Sequence, residues 1–484
     1  MEVKLFNTMG RGIETFVPRE AGKAGMYACG FTVYNYAHIG NLRTYIFQDV
    51  LRKTLEYAGY NVTHVMNVTD VGHLVSDADE GEDKMIKTSR ETGKTVWEIA
   101  EFYAKVFFKD FGLVSCAMPH VVCKATDHIP DMIGLIKRIE AKGHTYVSGG
   151  NVYFDISSFP GYGKLALLDR QDLMAGARIE VDSGKKNPAD FVLWFTQSKF
   201  QHQDMLWDSP WGRGYPGWHI ECSAMSVKYL GEQFDIHCGG IDHIPVHHTN
   251  EIAQTESATG RQPWVRYWLH ADFLLMGKEK MSKSKGNFIT LGTLVERGFD
   301  PLDYRYFCLG AHYRTQLSFG TEGMEAARAA RKGVIERVVQ LKIETGEAPA
   351  AVEGKAGEYL ARFEEHAADD LNMPKCLADL WTLLRDASVP AGAKLGAAFE
   401  MDRILDIGIR GAEESLVSLD DAARALIEER EEARGRKDWK RADEIRAELA
   451  GKGIVVQDQA RGTKVRSGSA KPKGNNVTSD GKSC

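Results

Sequence analysis

The stretch MYACGFTVYNYAHIGN (26–41) sets Cys29 nine residues ahead of His38. Cys29 offers a soft thiolate donor. HIGN directly after a strand opens a helix, whose unpaired backbone N–H groups and positive dipole end suit a phosphate. His38 adds a donor that can follow charge onto phosphoryl oxygens, and Gly40 lets the backbone come close. A second string, KEKMSKSKGN (278–287), carries Lys280 and Lys283, mobile point charges suited to an anionic leaving group. Alone, HIGN is more simply a capped turn and the lysines a solvated loop. Both strings in one chain point to nucleotide chemistry.

Cys29 finds partners far along the chain. PGWHIECSAM holds Cys222, and HIPVHHTNE holds His247 and Glu251, which i,i+4 spacing puts on one helical face. Two cysteines, a histidine and a glutamate make a zinc set. His248, at i,i+3 from Glu251, is a rival ligand. Taken singly, each cysteine is more simply a buried thiol, as Cys116, Cys123, Cys308 and Cys376 are expected to be. Cys238 is an extra thiol close by, and a zinc role for it is not favoured.

The elements that must hold these residues follow from pattern. Strands at 26–30 and 61–68 flank a helix at 42–57, the opening of a parallel α/β sheet. Helices are expected at 97–112 and 127–142. Short strand-like pieces, FVLWF among them, mark an insertion at about 125–195. The sheet is expected to resume with PGWHIECSAM and FDIHCGG. A helix should begin near His247, and a strand is expected at 268–274. Beyond Phe319 the pattern is helical, with a helix pair at 421–450 and a strand GIVVQD (453–458). The tail is polar and expected to be disordered.

Composition narrows the class. The 484 residues are 43% hydrophobic and 26% charged, with a net charge of −6, so bulk charge announces no nucleic-acid partner. Eight cysteines in a chain this long do not make a disulfide framework. The N-terminus lacks signal-peptide order and no run of ~18 apolar residues occurs, so a cytoplasmic chain with no membrane span is expected.

HIGN and KMSKS, in this order with an insertion between them, resemble the class I aminoacyl-tRNA synthetases. CGFTVY, GWHIECSAM, HCGGID (237–242), NEIAQ and KMSKSKGN, spread from about Lys4 to Arg466, resemble the cysteinyl-tRNA synthetase family. The resemblance implies a Rossmann-like catalytic domain in two halves (1–124 and 209–262) around a connective insertion (125–208). A KMSKS and stem-contact region (263–320), a helical bundle (321–415), a small α+β anticodon-recognition domain (416–466) and a disordered tail (467–484) would follow.

It also implies roles. His38, Asn41, Lys280 and Lys283 would stabilise the transition state in which an amino-acid carboxylate attacks the α-phosphate of ATP. Gly40, Gly239, Gly240, Asp242, Lys280, Met281, Ser282, Lys283 and Ser284 would meet ATP, bound with Mg2+. Thr69, Trp218 and His219 would line the amino-acid pocket. Cys29, Cys222, His247 and Glu251 would hold one zinc ion. Four ligands plus a substrate sulfur imply a five-coordinate bound state or a loosely held Glu251. Arg434, Trp439, Asp443 and Asp458 would read unpaired anticodon bases. The implied partners are L-cysteine, ATP and cysteine tRNA, with the enzyme a monomer. A metal–thiolate bond would discriminate against serine directly, so no editing domain is expected. The chain departs from the family pattern at Asn41 (commonly His in class I enzymes), Phe31 (usually proline), Cys238 (commonly glycine) and VHHTNE. Two alternatives remain at this stage: a related ligase joining cysteine to a glucosaminyl-inositol, which lacks the anticodon-reading end, and a non-catalytic synthetase-like tRNA-binding protein.

Overall fold

The computed structural model describes residues 1–71, 84–167, 184–197, 205–277, 279–280, 288–346, 348–412, 421–451, 454–458 and 463–467. They form two compact units, Met1–Ile407 and Gly408–Cys484.

A hairpin, β1 (Lys4–Asn7) and β2 (Gly12–Thr15), leads into β3 (Lys23–Thr32). Then follow α1 (Ile39–Tyr57), β4 (Asn61–Thr69), α2 (Lys84–Thr92), α3 (Val96–Leu113) and β5 (Val121–Lys124). After α4 (Ile129–Ala141), four short strands pair antiparallel: β6 (Thr145–Ser148), β7 (Asn151–Phe154), β8 (Phe191–Phe195) and β9 (Tyr215–Pro216). The chain continues through α5 (Trp218–Leu230), β10 (Phe234–Gly240), α6 (His247–Thr259) and β11 (Val265–Ala271).

The central sheet has the order β11-β10-β3-β4-β5, with every pair parallel. Helices cover both faces of such a sheet, and β10 is accordingly buried at every residue. The chain runs outward from β3 in one direction through β4 and β5, and in the other through β10 and β11. The order reverses between β3 and β10, where ligands of open α/β sheets bind at the carboxyl ends of the strands. Cys29 and Thr32 lie near one such end, Gly239 and Gly240 at the other.

Two local expectations are corrected. PGWHIECSAM does not rejoin the sheet. After Gly217 caps it, Trp218 begins helix α5, and Cys222 therefore sits on a helix. His219 through Ser226 are all buried, so α5 shows no polar stripe and its period is hidden in the sequence. The strand expected at 268–274 is broken. β11 ends at Ala271, and β12 (Leu274–Met276) belongs to a separate three-stranded sheet with β13 (Glu279–Lys280) and β14 (Leu317–Phe319).

Helices α7 (Leu291–Glu296) and α8 (Pro301–Leu309) precede β14. Four helices follow: α9 (Thr321–Thr345), α10 (Gly354–Ala368), α11 (Met373–Arg385) and α12 (Ala391–Leu405), each with an apolar buried stripe. A buried charge cluster ties α1 to this region. Asp49 accepts from Arg305 Nη2 and Lys53 Nζ at 2.7 Å each, while Arg305 also donates to the carbonyls of Leu405 and Val114.

The second unit holds α13 (Asp421–Gly435), α14 (Trp439–Gly451) and an antiparallel pair, β15 (Ile454–Asp458) with β16 (Thr463–Ser467). Ala423, Ile445, Leu449 and Val456 form its core. β16 extends one residue into the segment expected to be disordered; the rest of that tail lies outside the described residues. Among the described residues, no helix is long and apolar enough to cross a membrane.

Candidate active site and metal centre

α1 starts three residues earlier than its period predicts, at Ile39, because HIGN builds its own cap. His38 is the N-cap: its Nδ1 accepts from the Asn41 backbone N–H at 3.1 Å, and Asn41 Oδ1 accepts from the His38 backbone N–H at 3.1 Å. This reciprocal pair fixes two things. With Nδ1 accepting, neutral His38 carries its proton on Nε2. With Oδ1 accepting, Asn41 keeps its amide NH2 as a donor. Asn at the fourth position therefore serves the cap while retaining donor capacity. Gly40 is required beside it, since a Cβ there would stand 2.9 Å from His38 Nδ1. A Gly40→Ala variant should displace the imidazole. We expect kcat for amino-acid activation to fall roughly 10-fold or more, read by pyrophosphate exchange, since small misplacements of reacting groups are costly.

Ile39 N–H donates to the Ile289 carbonyl at 2.9 Å, and His38 bridges Thr290, so the start of α1 is bonded to the segment just beyond KMSKSKGN. Phe288 meets the His38 ring edge-on at 5.6 Å. Lys280 lies on β13 opposite Leu275. Met281, Ser282, Lys283 and Ser284 lie outside the described residues.

A cavity of about 330 Å3 opens at the switch point of the sheet. Cys29, Cys222 and His247 line it together with Thr69 and Trp218, and so do His38, Gly40, Asn41, Gly240 and Asp242. Residues expected to hold a thiol and residues expected to hold a nucleotide thus face one space. Gly239, His219 and Glu251 stand behind its wall, His219 and Glu251 being buried. Gly239 is enclosed by the His243 and His248 rings, which would collide with any Cβ there.

Ligand atoms of Cys29, Cys222, His247 and Glu251 all lie within 4.8 Å of one another, and all four residues are buried. The set tests well as a metal site. Glu251 Oε2 accepts from His237 Nε2 at 2.8 Å, which holds the carboxylate rigidly. Its Oε1 stands 2.9 Å from His247 Nε2, outside good hydrogen-bond geometry, so a fully buried carboxylate oxygen faces the cluster with that ion pair as its contact. A buried carboxylate placed in this way favours a cation beside it. His247 uses Nδ1 toward His219 Nδ1 at 2.9 Å, leaving Nε2 for a metal in the way ligating histidines are oriented from behind.

A second set, Cys29, His237, His248 and Glu251, also lies within 4.8 Å. Two observations disfavour it. His237 and His248 do not line the cavity. Both ring nitrogens of His248 are also already engaged, and His237 Nε2 is taken by Glu251. His248 Nε2 lies 3.3 Å from Cys29 Sγ and its Nδ1 2.7 Å from His270 Nε2, while His270 Nδ1 lies 2.8 Å from Thr8 Oγ1. One proton per ring completes that chain, and His248 then donates to the Cys29 sulfur instead of ligating beside it. Burial and the neighbouring rings keep both His248 and His270 well below the usual histidine range.

The quartet is already partly ionised. Burial pushes the Cys29 thiol well up, helped by its hydrogen bond to Cys222. That bond lowers Cys222, outweighing its own burial. Burial opposes ionisation of Glu251 too, yet His237 and His247 hold it at about 2. The donor atoms brought together are sulfur, imidazole nitrogen and carboxylate oxygen, the set that suits a borderline-soft divalent ion.

Sequence reasoning missed His243 as a wall residue, and His237 and His270 as supports. His237 lay within a quoted string but carried no role. His270 had no local signal at all: the parallel register of β10 and β11 puts it opposite Gly239.

In the second unit, Arg434 is on α13, and Trp439 and Asp443 share one face of α14. Trp439 is 58% exposed although it is a large aromatic residue. Asp458 ends β15, opposite Thr463.

Residues 15–329 match the family model for the class I (C) tRNA synthetase catalytic domain, and residues 416–466 match the cysteinyl-tRNA ligase anticodon binding domain. Cysteine–tRNA ligase of Treponema denticola is 55% identical over 95% of this chain and 98% of its own length. That of Burkholderia lata is 48% identical over 96% and 97%, and that of Borrelia hermsii 46% over 97% and 100%.

The chain belongs to the cysteine–tRNA ligase family.

Solved structures agree on the fold. Mycobacterium tuberculosis methionyl-tRNA synthetase with methionyl-adenylate superposes with a TM-score of 0.54 at 15% identity, covering 80% of this chain and 90% of that one. A leucyl-tRNA synthetase from Agrobacterium radiobacter, in a ternary complex, gives 0.57 at 11% identity, covering 83% and 85%. For a cysteine–tRNA ligase, the four-donor cluster in the cavity wall and the capped HIGN turn are the features whose chemistry must be assigned.

Proposed function

We propose that this cysteine–tRNA ligase activates L-cysteine with ATP and Mg2+, giving cysteinyl-adenylate and pyrophosphate, and passes the cysteinyl group to the 3' end of cysteine tRNA. The observation that carries the reading is the single cavity lined by both Cys222 and His247 and by His38 and Asn41. Cys29, Cys222, His247 and Glu251 would hold one zinc ion. When bound, zinc supplies a Lewis-acid centre that takes a thiol as thiolate and takes the harder serine hydroxyl poorly. Thr69 and Trp218 enclose the amino acid, and His219 orients His247 from behind. His38 Nε2 and the Asn41 amide donate to the α-phosphate oxygens as charge grows there, and Lys280 and Lys283 meet the departing pyrophosphate. Gly40, Gly240 and Asp242 take the nucleotide, with Gly239 giving room to the rings behind them and Met281, Ser282 and Ser284 completing its cover.

Arg434, Trp439, Asp443 and Asp458 are the anticodon contacts of this reading. Trp439→Ala should lower charging of cysteine tRNA by ~10-fold or more while leaving cysteine-dependent pyrophosphate exchange unchanged, because stacking on an unpaired base contributes roughly 1–3 kcal/mol. The segment boundaries given from sequence stand in this reading with two exceptions: β11, assigned to the KMSKS region, pairs in the central sheet, and β9, assigned to the second catalytic half, pairs in the four-stranded sheet of the insertion. The reading also makes the protein a cytoplasmic monomer. The seven described cysteines are all free, which suits a reducing compartment.

A cysteine ligase acting on a glucosaminyl-inositol has no use for the anticodon binding domain matched at 416–466. Cysteine-dependent ATP–pyrophosphate exchange followed by charging of cysteine tRNA tests the reading. Exchange without charging would favour that ligase, and no exchange a non-catalytic tRNA-binding protein.

A further inference from the structure

Arg43 lies one turn into α1 and is 3% exposed. All four of its side-chain hydrogen bonds go to main-chain carbonyls. Nη1 donates to Asp272 O at 2.8 Å and Phe273 O at 2.5 Å; Nη2 donates to His312 O at 3.3 Å and Thr315 O at 2.5 Å. A buried guanidinium bonded only to carbonyls is unusual, since burial disfavours its charge and no carboxylate among these bonds repays it.

The placement of these carbonyls explains the expense. Asp272 and Phe273 are the break between β11 and β12, the point where the central sheet ends and the hairpin carrying Lys280 begins. Asp272, Phe273 and Leu274 line the same cavity as His38, Gly40 and Asn41. The His312–Thr315 turn closes the corner from the other side: Asp272 N–H donates to Tyr313 O and Leu317 N–H to Phe273 O. The start of α1 is held independently, by Ile39 to Ile289 and by Tyr304 Oη to Ile39 O at 2.6 Å. One guanidinium therefore sets the spacing between the helix bearing His38 and Asn41 and the corner from which the Lys280 strand departs.

We propose that Arg43 is a positioning residue for amino-acid activation, fixing the Asp272–Leu274 wall, from which the Lys280 strand departs, against the HIGN turn so that His38, Asn41 and Lys280 meet the phosphates together. The inference rests on the reading given under Proposed function. Lysine at this position keeps a charge but presents one nitrogen, which cannot fork to two separate segments. Methionine keeps length and loses both charge and fork.

The experiment is single-turnover kinetics on Arg43→Lys and Arg43→Met, with active sites titrated so that rates refer to folded enzyme. Adenylate formation and transfer to tRNA are measured as separate steps. We expect adenylate formation to slow ~100-fold per active site, the scale of an ångström-sized misplacement. KM for cysteine should change less than about 3-fold, and transfer should slow by less than ~10-fold, because pyrophosphate has already left and only the α-phosphate contacts remain to help AMP depart. Unchanged adenylate formation in Arg43→Lys, or an equal loss in both steps, would overturn the proposal and leave Arg43 a core tether. Wild-type enzyme in the same assay reports separately on the underlying function: if it forms no cysteinyl-adenylate, the functional reading fails and not merely the role of Arg43.

Discussion

Cys222→Ala is expected to purify with its zinc content sharply reduced and to activate cysteine at least ~100-fold more slowly, since loss even of an outer partner of a metal ligand costs 10- to 100-fold. Cys222 is 2% exposed and sits where Cys29, His247 and Glu251 converge. Its removal leaves the Glu251 carboxylate, ionised down to about 2, beside His247 with Cys29 as the one remaining sulfur. The more telling result is selectivity. A wall of ordinary side chains separates near-isosteres by only about 10- to 200-fold, so discrimination between cysteine and serine in the variant should collapse toward that range. Metal analysis of the purified variant, with cysteine- and serine-dependent pyrophosphate exchange, measures both effects. Full metal content with an unaltered cysteine-to-serine ratio would remove Cys222 from the site.

His38→Ala is expected to lower kcat for activation by ~10²–10³, the usual consequence of deleting one donor to a developing oxyanion. The cap complicates this variant, because His38 also accepts from Asn41 N–H, and loss of an N-cap costs about 1 kcal/mol of stability. His38→Asn separates the two roles. Asn is a strong N-cap, so α1 should keep its start while the reach of Nε2–H is lost. Both variants should therefore show the kcat loss, with KM for cysteine changed less than about 3-fold, and only the alanine variant should show a lowered thermal midpoint. Recovery of full kcat in His38→Asn would mean that the imidazole serves only as a cap.

Much of the catalytic unit was legible in the chain because its signals are local. HIGN forms the first turn of α1, shortly after β3, and i,i+4 spacing alone puts His247 and Glu251 on one face of α6. The parallel sheet followed from β3, α1 and β4 having clear and different periods. Cys222 was legible as a residue but not in its setting. α5 is buried through His219–Ser226, so the polar stripe that would have marked it as a helix is absent. The break at Asp272–Phe273 was equally hidden, because the residues that impose it, Arg43 and the His312–Thr315 turn, are distant in sequence.

By itself, the sequence determined which atoms are available: two thiols, an imidazole, a carboxylate and a phosphate-binding turn, all but Cys222 on elements whose type local signals dictate. Only the tertiary structure decided which of them act together. It bonded His248 to Cys29 and His270 and left His247 facing the cavity beside Cys222. It brought in His237 to hold Glu251 and His270 to hold His248, through a strand register that nothing in either residue's own neighbourhood specifies. Ligand type is a property of a side chain, whereas ligation depends on which lone pairs remain after every neighbour has taken its share, and that is settled only when the sheet has closed.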